Sequence, residues 1–178
     1  MMPAFGIVAF ALFLTCIPIA NWMIGHVGTI CVPSGPCLIP VAPGVMAPSG
    51  VLMIGAALVL RDIVQRLLGP AWAIVAIGIG ACLSLLLAPP ALVLASGAAF
   101  LLSELVDFAV YTPLQRRRLL LAVIASSAVG LVVDSIVFLT LAFGSLDYLG
   151  GQVIGKAWAL LLAFPLVLAV RRLAPAPT

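Results

Sequence analysis

The chain has 178 residues, of which 65% are hydrophobic and only 7% charged, with a formal net charge of +3. A mean hydropathy of +1.38 excludes an ordinary soluble domain. Apolar runs of about 20 residues, the length that crosses a bilayer as a helix, recur along the whole sequence. They lack the period-two alternation of barrel strands, so the expected fold is an all-α integral membrane protein that satisfies its own backbone hydrogen bonds in lipid.

Six spans are predicted, at roughly 4–24, 46–66, 71–88, 91–113, 119–142 and 150–170, forming one compact bundle over residues 1–178 with short connections and no soluble domain. The first follows Met1-Met2-Pro3-Ala4-Phe5, which has no basic segment of the secretory type, and it is read as a retained helix. Residues 25–48 form the longest irregular stretch. Pro33, Pro36, Pro40, Pro43 and Pro48 are interspersed there with Gly28, Gly35 and Gly44, a density that excludes regular helix. Cys31 and Cys37 flank Val-Pro-Ser-Gly-Pro in this stretch. An oxidising compartment permits a disulfide between them, but spacing alone leaves the bonded and free forms both open. His26 is the only histidine and no fourth ligand stands near it, so neither a metal site nor a cofactor is expected. Cys16 and Cys82 fall inside spans and read as small packing residues.

Pro48 can open the second span, which carries Arg61, Asp62 and Arg66 toward its far end. Asp62 and Arg66 are one turn apart and can pair, either as the floor of a central cavity or as a hydrated helix end. Ala88-Pro89-Pro90-Ala91 joins the third and fourth spans. Small residues at four-residue spacing, Ala76 with Gly80 and Ala91 with Ala95 and Ala99, let helices approach closely. The basic groups Arg61 and Arg66, Arg116-Arg117-Arg118 and Arg171-Arg172 all accompany the ends of even-numbered spans. They therefore lie on one side, which the positive-inside rule makes cytoplasmic, with both termini inside. On this reading they are topology signals and not contacts to nucleic acid.

Four further charges, Glu104, Asp107, Asp134 and Lys156, lie well inside spans. A charge at the bilayer centre costs about 2.5–3.5 kcal/mol on insertion scales, which makes each of them a candidate polar site. On the fourth span Glu104, Asp107 and Tyr111 stand at i, i+3 and i+7 and share a face. On the fifth, Ser127, Asp134 and Phe138 share a face. On the sixth, Gln152 and Lys156 are one turn apart. Counting the helical rise places Asp134 and Lys156 at similar depth and predicts an ion pair between them. Three acids against one base leave excess negative charge, and a buried ion-pair network gains little stability once desolvation is counted. A solute or ion site is the favoured reading. Carboxylates accept hydrogen bonds and so suit a cation or a neutral ligand rich in N–H donors, while Tyr111, Phe138 and Phe143 can stack on a flat heterocycle.

Arg61-Asp62-Ile63-Val64-Gln65 with Gly69, Ser103-Glu104-Leu105-Val106-Asp107 with Val110-Tyr111, Asp134-Ser135 with Phe138 and Ala142-Phe143, and Gly151-Gln152 with Gly155-Lys156 carry a family resemblance. In these segments the chain resembles the queuosine precursor transporters, part of the wider vitamin-uptake-transporter family. The resemblance implies six helices and import of a 7-deazaguanine, such as 7-cyano-7-deazaguanine, across a bacterial inner membrane. It also implies Glu104, Asp107, Asp134, Gln152 and Lys156 as substrate contacts; Tyr111, Phe138, Ser127 and Asp62 complete the candidate set. Arg66 departs from the acidic residue common in the family four positions after Asp62.

Three functional classes are weighed. The first is a self-sufficient carrier of a small molecule, alone or as a homodimer. The second is a substrate-capture subunit of an energy-coupling-factor transporter, whose partner hydrolyses ATP; this chain has no G-x-x-x-x-G-K-[ST] of its own. The third, an intramembrane enzyme, is disfavoured. An aspartyl pair must share a proton at close range, whereas Asp107 and Asp134 read as offset by more than a turn, and the single histidine is outside the spans.

Overall fold

The computed structural model describes residues 2–173 apart from Ser34, with side chains described between 4 and 170. The side chains of Arg171 and Arg172 therefore lie outside the described residues. Six helices account for most of the chain: α1 (Met2–His26), α2 (Val51–Leu68), α3 (Pro70–Leu87), α4 (Val93–Leu114), α5 (Leu119–Phe143) and α6 (Leu149–Leu173). Five of them, all but α2, contain a stretch long and apolar enough to cross a membrane. Their outward faces carry large apolar side chains such as Leu12, Leu86, Leu94, Ile124 and Leu162, suited to lipid.

The most polar helix sits where lipid cannot reach it. α2 has 18 residues, about 27 Å of helix, and touches each of the other five helices. Every residue from 57 to 65 is buried, so protein surrounds this helix on all sides instead of on one apolar stripe. Hydration of a helix end is thereby ruled out for Arg61 and Asp62, which are 0% and 1% exposed. Arg61, grouped above with the topology arginines, is a core residue.

Its start differs from the expectation, while its end falls beside Gly69-Pro70. α2 starts at Val51 after Gly50, three residues later than Pro48. It stops at Gly69, whose φ of 98° only glycine adopts readily, and Pro70 opens α3 immediately, as a proline can in a first helical turn.

Residues 25–48 are more ordered than their composition implied. They hold a three-stranded antiparallel sheet of β1 (Ile30–Cys31), β2 (Cys37–Ala42) and β3 (Val45–Pro48). Pro43 and Gly44, the latter at φ 72°, turn β2 into β3. Pro40 lies past the end of the short β1 and beside a register shift, where a strand tolerates a missing N–H. Cys31 pairs across from Cys37 in the ladder, and the two form a disulfide. The sheet is tied to the bundle by Trp158 Nε1, which donates to the Val41 carbonyl at 3.1 Å, and next to it Ser49 Oγ donates to Met23 O at 2.7 Å.

Small residues set the closest helix contacts. Ala76, Gly80, Ala95 and Ala99 are buried between helices of this chain. At Gly55, α6 comes so near that a Cβ would lie 2.9 Å from the Lys156 Cα and carbonyl oxygen. Gly55→Leu is expected to push α2 from α6 and lower stability by about 1–3 kcal/mol, the usual cost of overpacking. A melting curve in detergent like that of the wild type would refute this close approach.

Candidate functional site

Helix α2 delivers a guanidinium into a group of three carboxylates. Arg61 Nη1 is 2.9 Å from Asp62 Oδ1, its Nε donates to Glu104 Oε2 at 3.1 Å, and its Nη2 is in ion contact with Asp107 Oδ1. The planar fork of arginine makes this possible, since five N–H donors spread in one plane can face several acceptors. Around this centre, Gln65 accepts from Arg61 Nη1 at 3.1 Å and donates to Thr112 Oγ1 at 2.9 Å. Ser126 on α5 donates to Asp62 Oδ2 at 3.1 Å. The Tyr111 ring lies under the guanidinium, 5.6 Å from Cζ to the ring centroid. Asp107 fits because Gly130 faces it; a Cβ there would be 3.2 Å from Asp107 Oδ2.

A second group sits nearer the sheet. Lys156 Nζ donates to Asp134 Oδ2 at 2.6 Å and to Ser135 Oγ at 2.7 Å, and Ser135 Oγ donates on to Leu131 O at 2.6 Å. The ion pair expected from helical depth is therefore present. It joins α5 to α6 and holds one carboxylate oxygen of Asp134 while the side chain faces a cavity.

That cavity lies at the sheet end of the bundle and is partly open to its surroundings, with about 430 Å³ of empty space that includes the open side. All six helices line it: Asn21 from α1, Val51 and Ile54 from α2, Ser84 from α3, Ser96 and Phe100 from α4, Asp134 and Phe138 from α5, and Gln152 from α6. Asn21 Nδ2 is engaged with Ile17 O at 2.9 Å, which leaves its Oδ1 as an acceptor.

The candidate residues thus divide. Asp134, Phe138 and Gln152 line the cavity, and Lys156 holds Asp134. Glu104, Asp107, Asp62 and Tyr111 gather at Arg61 instead. Ser127 is buried, and its Oγ has no hydrogen-bond partner among the described residues. Tyr111 does not line the cavity and cannot stack on a ligand there. Phe143 packs edge-on against Phe138, with ring centroids 6.4 Å apart, and is not part of the lining.

Sequence reasoning missed Arg61 as a site residue, along with its partners Gln65 and Ser126 and the cavity residues Asn21 and Phe100. In α2, Val51–Leu68, Arg61 stands about two turns before the end, and that was the available signal: a span closed at residue 66 put it nearer the end. Asn21 was visible as an amide inside an apolar span.

Residues 50–170 match the model of a family described as "Putative vitamin uptake transporter". No curated protein and no solved structure matches the chain. The matched stretch takes in both charged groups and most of the cavity lining, whereas Asn21 on α1 precedes it. A bundle of helices built for lipid, with its charges gathered inside around a cavity and a family match over well over half of its length, is not an enzyme but a multi-pass membrane transport protein, and the chain belongs to the vitamin uptake transporter family.

Proposed function

We propose that this transporter imports a 7-deazapurine precursor of queuosine, 7-cyano-7-deazaguanine or a close relative, across a bacterial inner membrane. The observation that supports this reading is the chemistry of the cavity. Asp134 offers a carboxylate, Gln152 an amide, Asn21 an amide oxygen, and Phe100 and Phe138 two rings. Adjacent N–H and NH₂ donors of a guanine-like edge suit one carboxylate, Gln152 can donate to the ring carbonyl, and a flat base can pack on an aromatic face.

Charge argues in the same direction. Asp134 is neutralised by Lys156 at 2.6 Å, so the cavity presents a compensated pair to its ligand. A neutral heterocycle rich in donors fits such a site better than a cation, which would have to compete with the ammonium. In this reading the sheet end faces the periplasm, where the Cys31–Cys37 bond persists. The turn containing Arg116, Arg117 and Arg118 then faces the cytoplasm.

The test is complementation in a strain unable to make the deazapurine, supplied with it externally, with queuosine in tRNA as the readout. The transporter should restore queuosine at low supplement. Asp134→Asn, Gln152→Ala and Phe138→Ala should each reduce it by about ten- to a hundredfold when normalised to the amount of transporter in the membrane, the scale of a lost buried contact. No queuosine with the wild-type chain would remove this substrate. Restoration in a host lacking any energy-coupling ATPase would identify a self-sufficient carrier and exclude the capture-subunit alternative.

A further inference from the structure

The Arg61 group is not part of the cavity. Neither Arg61 nor Asp62, Glu104 or Asp107 lines it, and all four are at most 1% exposed. The guanidinium occupies the space between the carboxylates, which leaves no place there for a heterocycle. Among the described residues no cluster of acidic, histidine or cysteine side chains has the arrangement of a metal site.

Charge within the group does not balance. Asp62 and Arg61 come from α2, and Glu104 and Asp107 from α4, so three carboxylates share the Arg61 guanidinium, with Arg66 of α2 the further cation close enough to act on Tyr111. From α5 the nearest charge is Asp134, within electrostatic range of Glu104, and Lys156 of α6 is spent on it. Helices α1 and α3 have no charged side chain between their ends to offset the surplus. Hydrogen bonding is incomplete as well. Asp107 is held by Arg61 with Ser126 within reach, whereas Tyr111 Oη, in a residue 0% exposed, has no hydrogen-bond partner among the described residues. Tyr111 is close enough to Asp62 and Asp107 to sense both charges. An unpartnered buried hydroxyl beside three carboxylates that share Arg61 describes a place that takes a small cation.

We infer that the Arg61 group binds and releases a proton during transport and is the coupling site of this carrier, separate from the cavity that takes the solute. Water on one face supplies the proton, a carboxylate oxygen of the group receives it, and it returns to water on the other face, with no other bond made or broken. The two sites communicate across α4 and α5: a ligand at Asp134 changes the field at Glu104, and Glu104 shares Arg61 with Asp62 and Asp107. This inference rests on the transport reading and not on the identity of the solute.

Infrared spectroscopy of the purified protein in lipid nanodiscs tests it without any solute. A carboxylic-acid C=O band should appear and disappear between about pH 5 and pH 9. It should be lost in at least one of Asp62→Asn, Glu104→Gln and Asp107→Asn, and kept in the loop control Asp147→Asn. The amide band and gel-filtration profile establish that each variant is folded, and Glu104→Asp provides a conservative replacement. No titrating band, or one indifferent to all three substitutions, would overturn the proton site. In proteoliposomes, one pH unit, acid outside, should support about tenfold accumulation of 7-cyano-7-deazaguanine per coupled proton. A protonophore should abolish the accumulation, and the band-less variant should only equilibrate the solute. Wild-type uptake that ignores the gradient would overturn coupling. Absence of any uptake with the band intact would support the proton site and overturn the deazapurine.

Discussion

Arg61→Met should be the most damaging single substitution in this protein. It removes the cation that contacts Asp62, Glu104 and Asp107 directly, all three of them buried. Deleting one partner of a buried ion pair costs about 3–5 kcal/mol, and here one side chain serves three acids on two helices. The expected result is a large fall in membrane yield and in melting temperature in detergent, with uptake reduced about a hundredfold or more. Arg61→Lys keeps the charge but loses the planar fork, and one ammonium cannot reproduce contacts to Asp62, Glu104, Asp107 and Gln65 together. It should fall between the two in stability. Fluorescence-detected gel filtration with a thermal ramp, alongside the complementation assay, checks both. A well-folded, fully active Arg61→Met would show that the carboxylates do not depend on it.

The second large effect concerns Asp134 and Lys156. Lys156→Met leaves a carboxylate facing the cavity with no counter-charge, and Asp134→Asn leaves a buried ammonium whose remaining hydrogen-bond partner at 2.7 Å is Ser135 Oγ. Each single variant should lose about 3–5 kcal/mol of stability together with nearly all uptake. The double variant Lys156→Met with Asp134→Asn removes both charges, and much of the stability should return, because neighbours in contact are not additive. Uptake should not return, since the carboxylate proposed to grip the ligand is gone. Thermal melting and queuosine content read the two effects separately. If the double variant regained transport, the pair would be a strut between α5 and α6 and the cavity would need another anchor.

Much of the architecture is legible in the sequence alone. Apolar runs of spanning length locate the helices because the bilayer imposes both the length and the composition. The Asp134–Lys156 pair followed from counting residues inward from two helix ends, since the rise per residue barely varies. Residues 25–48 were harder. Turn-forming prolines and glycines dominate that stretch, and its strands, of two to six residues, are too short to show alternation. They are strands because a ladder, a disulfide and the flank of α6 hold them, and those partners are distant in sequence.

Composition and local pattern are enough to say that this chain crosses a membrane as a helical bundle, that charges lie within it, and which short segments resemble a transporter family. They do not say which way each helix faces. α2 is the case in point: its charges read equally as the floor of a cavity or as a hydrated helix end, and packing by all five other helices made them a core. The division of the acids into an Arg61 group and an Asp134–Lys156 pair has the same origin. Every helix here is apolar around most of its circumference, so rotation about its axis is set by close approaches such as Gly55 against Lys156 and Gly130 against Asp107, and those contacts exist only between helices that have already packed.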